Sequence, residues 1–475
     1  MEYLKIFKQK SFSCALSEPI DATLKQHLLR EDGQEDLTFA LWIPSEGKNK
    51  FTAIIKEVIF PEKGDRNVHG NVSYNYEYLL RVCRIALKKG YGVALLHSHP
   101  ISFGWQGMSD DDKSTEMKTF VNAFSTTELP FVGMTLGNDG YWSSRIWYYG
   151  EDEDIIYKWS ESVKVVGKKL QPFFNDKILP AIKPNGQTIR TVNVWGEEQN
   201  DDITRLRVGV IGLGSVGSVV CEMLARMGIS KFVLIDYDTV EEHNLDRLCG
   251  VFKDDIGERK IDVIKRNIEK SSTSNNLEIE IADKHIANEV AYRLSLDCDV
   301  LFSCVDKPWG RYILNHIAYA HLIPVIDGGI SIEFDDSKKL NFADWTVHTV
   351  TPGRPCLHCL NAYHSSDVEL EKQGLLEDTS YIQGLPDNHH LKNRENISPF
   401  SFNLASMEVL HFMALVADLV EPEYYGEQKY RFKHGFLSRN YDVECEKYCD
   451  FANNVGVGDS IFELFISENE EPKSA

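Results

Sequence analysis

From Leu206 onward, short β-branched runs alternate with helical segments, and this rhythm restricts the chain more than any other feature. The runs are Arg207–Ile211, Lys231–Ile235, Val300–Ser303 and residues 324–326. Strands alternating with helices bury their apolar faces best as a mostly parallel sheet covered on both sides. The first run leads into Gly212-Leu213-Gly214-Ser215-Val216-Gly217, which opens a helix expected over 218–227. Glycines there let the backbone turn tightly and approach a phosphate, whose charge suits a helix N-terminus. Asp236, at the end of the second run, stands where a carboxylate can bond ribose hydroxyls. On these residues alone, a dinucleotide dehydrogenase would show the same pattern.

The residues beyond the second run narrow the choice. Asp236-Tyr237-Asp238, then Asn244-Leu245-Asp246-Arg247, then Asp255-Ile256-Gly257 and Lys260 occur in order. Together with the glycine turn they resemble the ThiF/MoeB and ubiquitin-activating adenylation family, over roughly residues 188–450. The resemblance implies a Rossmann-like adenylation domain using ATP and Mg2+. It gives Gly212, Gly214 and Gly217 to the nucleotide and Asp236 to the ribose. Asn244, Arg247 and Lys260 would hold phosphates, with Asp238 supporting phosphate or metal. Asp306, closing Cys304-Val305-Asp306, matches the family aspartate that binds magnesium and helps adenylate an incoming carboxylate. Arg190, ahead of Gly196, matches an arginine finger acting in trans, which implies a homodimer. Thr191 and Leu248 stand where the family has glutamine.

The N-terminal part reads as a separate α/β domain over residues 1–150. Its expected strands are 51–60, 91–96 and 140–149, and its expected helix is 76–89. The run before Pro100 ends in His97-Ser98-His99; side chains alternate along a strand, so both imidazoles face one side and can share a metal. A third ligand is needed, and Ser109-Asp110-Asp111-Asp112 offers carboxylates. The pattern resembles the JAMM/MPN metalloprotease motif of deubiquitinating enzymes. That resemblance implies catalytic zinc on His97, His99 and Asp112, with Ser109 as oxyanion donor. Spacing alone would choose Asp110 instead, and it stays an alternative. Glu35 matches the context of the family's general acid/base, with Glu57 second.

Two cysteine pairs, Cys356/Cys359 and Cys445/Cys449, suit a structural four-thiolate zinc. Residues 360–444, where thioester-forming relatives carry their nucleophile, contain no cysteine. Activation is therefore expected to stop at the acyl-adenylate or pass to a partner's cysteine; Cys249, Cys298 and Cys304 are the remaining candidates for a thioester. The connector, 151–187, is expected to carry an amphipathic helix; the adenylation domain occupies 188–465, and 466–475 is a tail.

A net charge of -21 disfavours nucleic acid, which is bound by releasing counterions to Lys and Arg. Scattered cysteines, no signal-peptide order and no apolar run long enough for a bilayer point to a cytoplasmic protein without membrane partners. The double resemblance implies an enzyme that activates, and also cleaves, a ubiquitin-like β-grasp protein. Bacterial proteins that pair these domains, some in antiphage operons, are similar. A conjugating enzyme would then be a further partner. The alternative is sulfur transfer, with a sulfur-carrier protein and a sulfurtransferase. A third reading makes either domain an inactive scaffold.

Overall fold

A computed structural model describes residues 2–69, 71–335, 337–376, 379–384, 396–421, 425–440 and 443–460. The described residues form two compact units: those of Met1–Pro180 with Ala320–Leu322 and 454–460, and those of Ala181–Tyr319 with Ile323–Asn453. The expected tail at 466–475 lies outside the described residues.

The first unit is built on a nine-stranded mixed sheet. Its central order runs Ser11–Ser17, Lys50–Ile59, Leu37–Glu46, Gly92–His99, Phe131–Gly137 and Trp142–Tyr149. Alternation divides its apolar residues between two cores. Phe39, Leu41, Val93 and Leu95 enter one core with Tyr78 and Val82 of the helix Tyr76–Lys89 and Phe120 of the helix Asp110–Thr127. Ala40, Trp42, Ala94 and Leu96 enter the other. His97 and His99 continue the row of Val93 and Leu95 toward the carboxyl end of their strand.

Residues 151–180 do not form the expected connector helix. They supply the strands Ile155–Trp159, Ser162–Val166 and Leu170–Phe174, all within the same sheet. Ser162–Val166 pairs antiparallel with Leu170–Phe174 but parallel with Ser11–Ser17, so one of its partners lies about 150 residues away and local periodicity carries no trace of it.

The second unit holds an eight-stranded sheet. Glu278–Ala282, Lys231–Ile235, Arg207–Ile211, Val300–Ser303 and Val325–Phe334 run parallel, in that order. Leu340–Val350, Glu427–Arg431 and Phe436–Asn440 then continue it antiparallel. Chain order reverses between Arg207–Ile211 and Val300–Ser303, and loops leaving two such strands part to open a crevice. The helix Ser398–Val416 is, contrary to expectation, long and apolar enough by length and composition to cross a bilayer. In this unit it packs against the strands Val325–Phe334 and Leu340–Val350, and it buries Glu408 and His411 along with its apolar residues.

Candidate active sites

In the second unit, two loops meet at the point of strand reversal. Gly212 has φ +89°, and a Cβ there would stand 2.5 Å from the Cys304 carbonyl. A Cβ on Gly217 would stand 2.0 Å from the Gly212 carbonyl, whereas one on Gly214 would meet nothing. The turn is thus closed on its protein side and bare on the other, the shape a phosphate needs. Asp236, buried, locks it: Oδ2 accepts the Leu213 N–H at 2.6 Å and Oδ1 the Asp238 N–H at 2.8 Å. Burial pushes its carboxyl up to about 6, with Lys260 drawing it down and Asp238 pushing it further up.

Lys260 Nζ pairs with Asp238 Oδ2 at 2.7 Å. Asn244 Oδ1 accepts the Glu241 N–H at 3.1 Å, and Arg247 donates to the His243 carbonyl at 2.5 Å and to Asp246 at 2.9 Å. Asn244 and Arg247 are therefore held by their own turn. Asp306 is exposed beyond the strand Val300–Ser303, and Arg190 is exposed on the helix Ile189–Trp195. Sequence reasoning overlooked Asn396, whose Nδ2 donates to Ser215 Oγ at 3.0 Å in the glycine turn. It lies far along the chain from that turn, and no local pattern marks it.

The ThiF family model matches residues 187–444, more than half of the chain. The chain belongs to the ThiF family. It is 31% identical over 259 residues to ubiquitin-like modifier-activating enzyme 5 of Xenopus laevis, a match covering 50% of this chain and 63% of that one. The same enzyme of Drosophila ananassae is 31% identical over 133 residues, covering 26% of this chain and 34% of the relative. The SAMP-activating enzyme E1 of Haloferax volcanii is 26% identical over 165 residues, with 35% and 57% covered. The chain thus spans about a third of the Drosophila relative's length. Escherichia coli MccB crystallised with ATP aligns at TM-score 0.42 and 17% identity, covering 56% of this chain and 74% of that chain.

Within the ThiF unit the two cysteine pairs converge: the sulfurs of Cys356, Cys359, Cys445 and Cys449 all lie within 4.8 Å of one another. Cys356 Sγ and Cys449 Sγ are 3.6 Å apart. Tetrahedral zinc with ~2.3 Å arms would set such sulfurs at about 3.8 Å. Backbone N–H groups of Cys356 and Glu446 donate to the sulfurs of Cys445 and Cys359, at 3.1 and 3.5 Å. Hydrogen bonds from the Cys356 thiol and amide lower Cys445 to about 5, against its burial, while Cys356 itself is pushed up. The set fits a thiolate-bound cation. By contrast, burial pushes up the thiols of Cys249 and Cys304, which makes both poor nucleophiles.

Apart from Ala320–Leu322, the first unit lies outside the matched residues, and it carries its own cluster. His97 Nε2 and His99 Nε2 are 3.2 Å apart. Asp112 Oδ1 is 3.3 Å from His97 Nε2, and Asp112 Oδ2 is 3.5 Å from His99 Nε2. Three donors converging this closely, with both imidazoles presenting the same nitrogen, fit a divalent cation with an open position. Ser109 caps the helix Asp110–Thr127: its Oγ accepts the Asp112 N–H at 3.1 Å, and its N–H donates to Asp112 Oδ2 at 2.8 Å. This box turns Asp112 toward the strand; Asp110, at the first helical position, is exposed and outside the cluster.

Glu35 is held near the histidines because Leu37 pairs with His97 in the sheet. Burial raises its carboxyl, His99 and His97 oppose this, and Asp112 adds to it. Glu57 instead pairs with Lys89. The segment bearing Glu35 is pinned through Asp36, whose N–H donates to Ser98 Oγ at 3.0 Å. The buried Asp36 carboxylate also meets Arg66 at 3.0 Å and Arg30 at 3.2 Å. Ser98 could have been found from its place between the histidines. Arg30 and Arg66 had no such signal.

Proposed function

We propose that the second unit adenylates the C-terminal carboxylate of a ubiquitin-like β-grasp protein, and that the first unit is a zinc peptidase acting on the same modifier. The observation that carries the first half is the glycine turn tied by Asp236 within the ThiF-matched residues. The carboxylate of the modifier attacks the α-phosphorus of ATP, an acyl-phosphate bond forms, and pyrophosphate leaves with the broken bond's electrons. Lys260 and Arg247 offset phosphate charge, with Arg190 supplied by a second copy in a homodimer. Asp306, with support from Asp238, would hold Mg2+, which supplies charge neutralisation on the triphosphate. The names of the relatives support the modifier class, through ubiquitin-like modifiers and SAMP. With Cys249 and Cys304 pushed up by burial, the acyl group passes to a sulfur on another protein as AMP leaves: the thiol of a conjugating enzyme, or in the second reading the persulfide of a sulfurtransferase.

In the first unit, zinc held by His97, His99 and Asp112 would supply an acidified water. Glu35 would accept a proton from the attacking water and return it to the leaving amine. Ser109 accepts the Asp112 N–H, so its hydroxyl proton remains to be donated to the developing oxyanion. A four-cysteine cation site needs its thiols reduced, which suits the cytoplasm. Modifier-dependent ATP–pyrophosphate exchange tests the adenylation. Cleavage of the modifier from a C-terminal peptide extension, abolished by a chelator and restored by zinc, tests the peptidase. Absence of exchange with a panel of β-grasp proteins, while ATP binds, would remove the first half.

A further inference from the structure

We propose that Gln106 is the positioning residue that sets the ring proton of His99 and so aims its Nε2 lone pair at the metal; this rests on the metal reading of the first unit. Gln106 is 6% exposed, although it lies in the loop between His99 and Ser109. Its Nε2 donates within that loop, to the Phe103 carbonyl at 2.9 Å and the Gly104 carbonyl at 2.8 Å. Two carbonyl acceptors decide which way the amide points, since a flipped amide would set oxygen against oxygen. The amide oxygen therefore faces His99 Nδ1, at 3.4 Å. An amide oxygen has no proton to give, so Nδ1 carries a hydrogen, which leaves Nε2 as the nitrogen that can offer a lone pair to a cation. Nε2 is the atom turned toward His97 Nε2 and Asp112 Oδ2. A neutral imidazole without such a partner divides between two tautomers, and only one of them can ligate here. Outer partners of this kind typically change metal affinity about 10- to 100-fold.

A loop anchor would make the same two carbonyl contacts, and two substitutions separate the roles. Gln106→Glu keeps an oxygen toward His99 but loses both amide protons, whereas Gln106→Leu loses acceptor and donors together. Zinc affinity is measured on the full chain by chelator competition. Zinc taken up by a His97→Ala chain is subtracted to remove the four-cysteine site. The Leu variant is expected to bind zinc about 10- to 100-fold more weakly, with the Glu variant restored close to the unaltered chain. Nitrogen NMR of the metal-free, histidine-labelled chain is expected to place the His99 proton on Nδ1. Equal affinity in Gln106→Leu, an equal fall in both variants, or an Nδ1 without a proton would each overturn the assignment. No zinc at the His97 site in the unaltered chain is a different failure. It removes the metal reading, while the ring-proton measurement still decides the role of Gln106.

Discussion

In the first unit the strand Gly92–His99 runs through a loop into the helix Asp110–Thr127; in the second, Arg207–Ile211 runs through a glycine turn into Gly217–Arg226. Both sites use the end of a strand and the start of a helix, yet they suit ions of opposite sign. The first helix carries Asp110, Asp111 and Asp112 in its opening turn, and these carboxylates outweigh the partial positive charge of the helix end. With two imidazoles opposite, the set suits a cation. The second helix has no acidic residue in its first turn, and the turn before it is glycine. Its bare N–H groups are left for an anion. The same connection thus suits metal or phosphate according to which side chains occupy a few positions.

The two helices are also held differently. Glu116, one turn after Asp112, is buried against Arg145, whose guanidinium also donates to Thr135 at 2.6 Å, and it accepts from the Trp147 ring N–H at 2.7 Å. The glycine-turn helix instead starts by close backbone approach, Gly217 to Gly212. The Asp112 helix is thus fixed by buried side chains, and the glycine-turn helix by backbone contact with Asp236 tying the turn ahead of it.

Substitutions that act on one unit alone sharpen the contrast. The largest effect is expected from Asp306→Ala, which should cut modifier-dependent ATP–pyrophosphate exchange about 10³-fold. Zinc-dependent peptide cleavage by the same variant should be unchanged; a parallel loss of both would mean the two chemistries are not separate. Glu35→Gln should do the reverse, lowering cleavage about 10²-fold with zinc retained and exchange intact. Next, Glu116→Gln leaves the Arg145 charge buried and uncompensated, which should destabilise the first unit by about 3 kcal/mol in urea unfolding. A shift within error would show that the ion pair is not what holds the Asp112 helix.

The smallest effect is in pH. Asp236 is raised to about 6, so ATP affinity should improve as pH rises through that value and the carboxylate forms. Titration calorimetry should find about a tenfold loss between pH 7 and pH 5, a step missing in Asp236→Asn. Stability without nucleotide should move the other way. An acid raised in the folded state contributes stability below its unfolded pKa, and that contribution is lost as pH climbs through about 6. A flat ATP affinity over this range would remove Asp236 from the ribose.

Much of the second unit was legible because each of its signals is local. The β-branched runs at Arg207–Ile211, Lys231–Ile235 and Val300–Ser303 became strands over those residues. The order of those strands was not local, nor was the reversal that sets Cys304 against Gly212. Residues 151–180 failed as a connector helix because they join a sheet in which Ser162–Val166 pairs with Ser11–Ser17, a partner that no local window of sequence contains. The apolar length of Ser398–Val416 was missed because Glu408 and His411 interrupt the run; burial inside the unit tolerates both.

By itself the sequence determined which chemistry each stretch could offer. Strand alternation puts His97 and His99 on one side, and only glycine leaves the backbone at 212–217 open to a phosphate. Only tertiary structure decided which carboxylates join them. Three consecutive aspartates are equivalent on paper, but the Ser109 cap turns the third inward and leaves the first in solvent. Glu35 and Glu57 both precede apolar strand residues, yet pairing of Leu37 with His97 brings Glu35 to the histidines and leaves Glu57 on Lys89. The four cysteines, too, are two separate pairs until the fold closes nearly ninety residues of chain between them. Residue type is a local property, whereas the distance between residues far apart in sequence is set by the packing of every element between them.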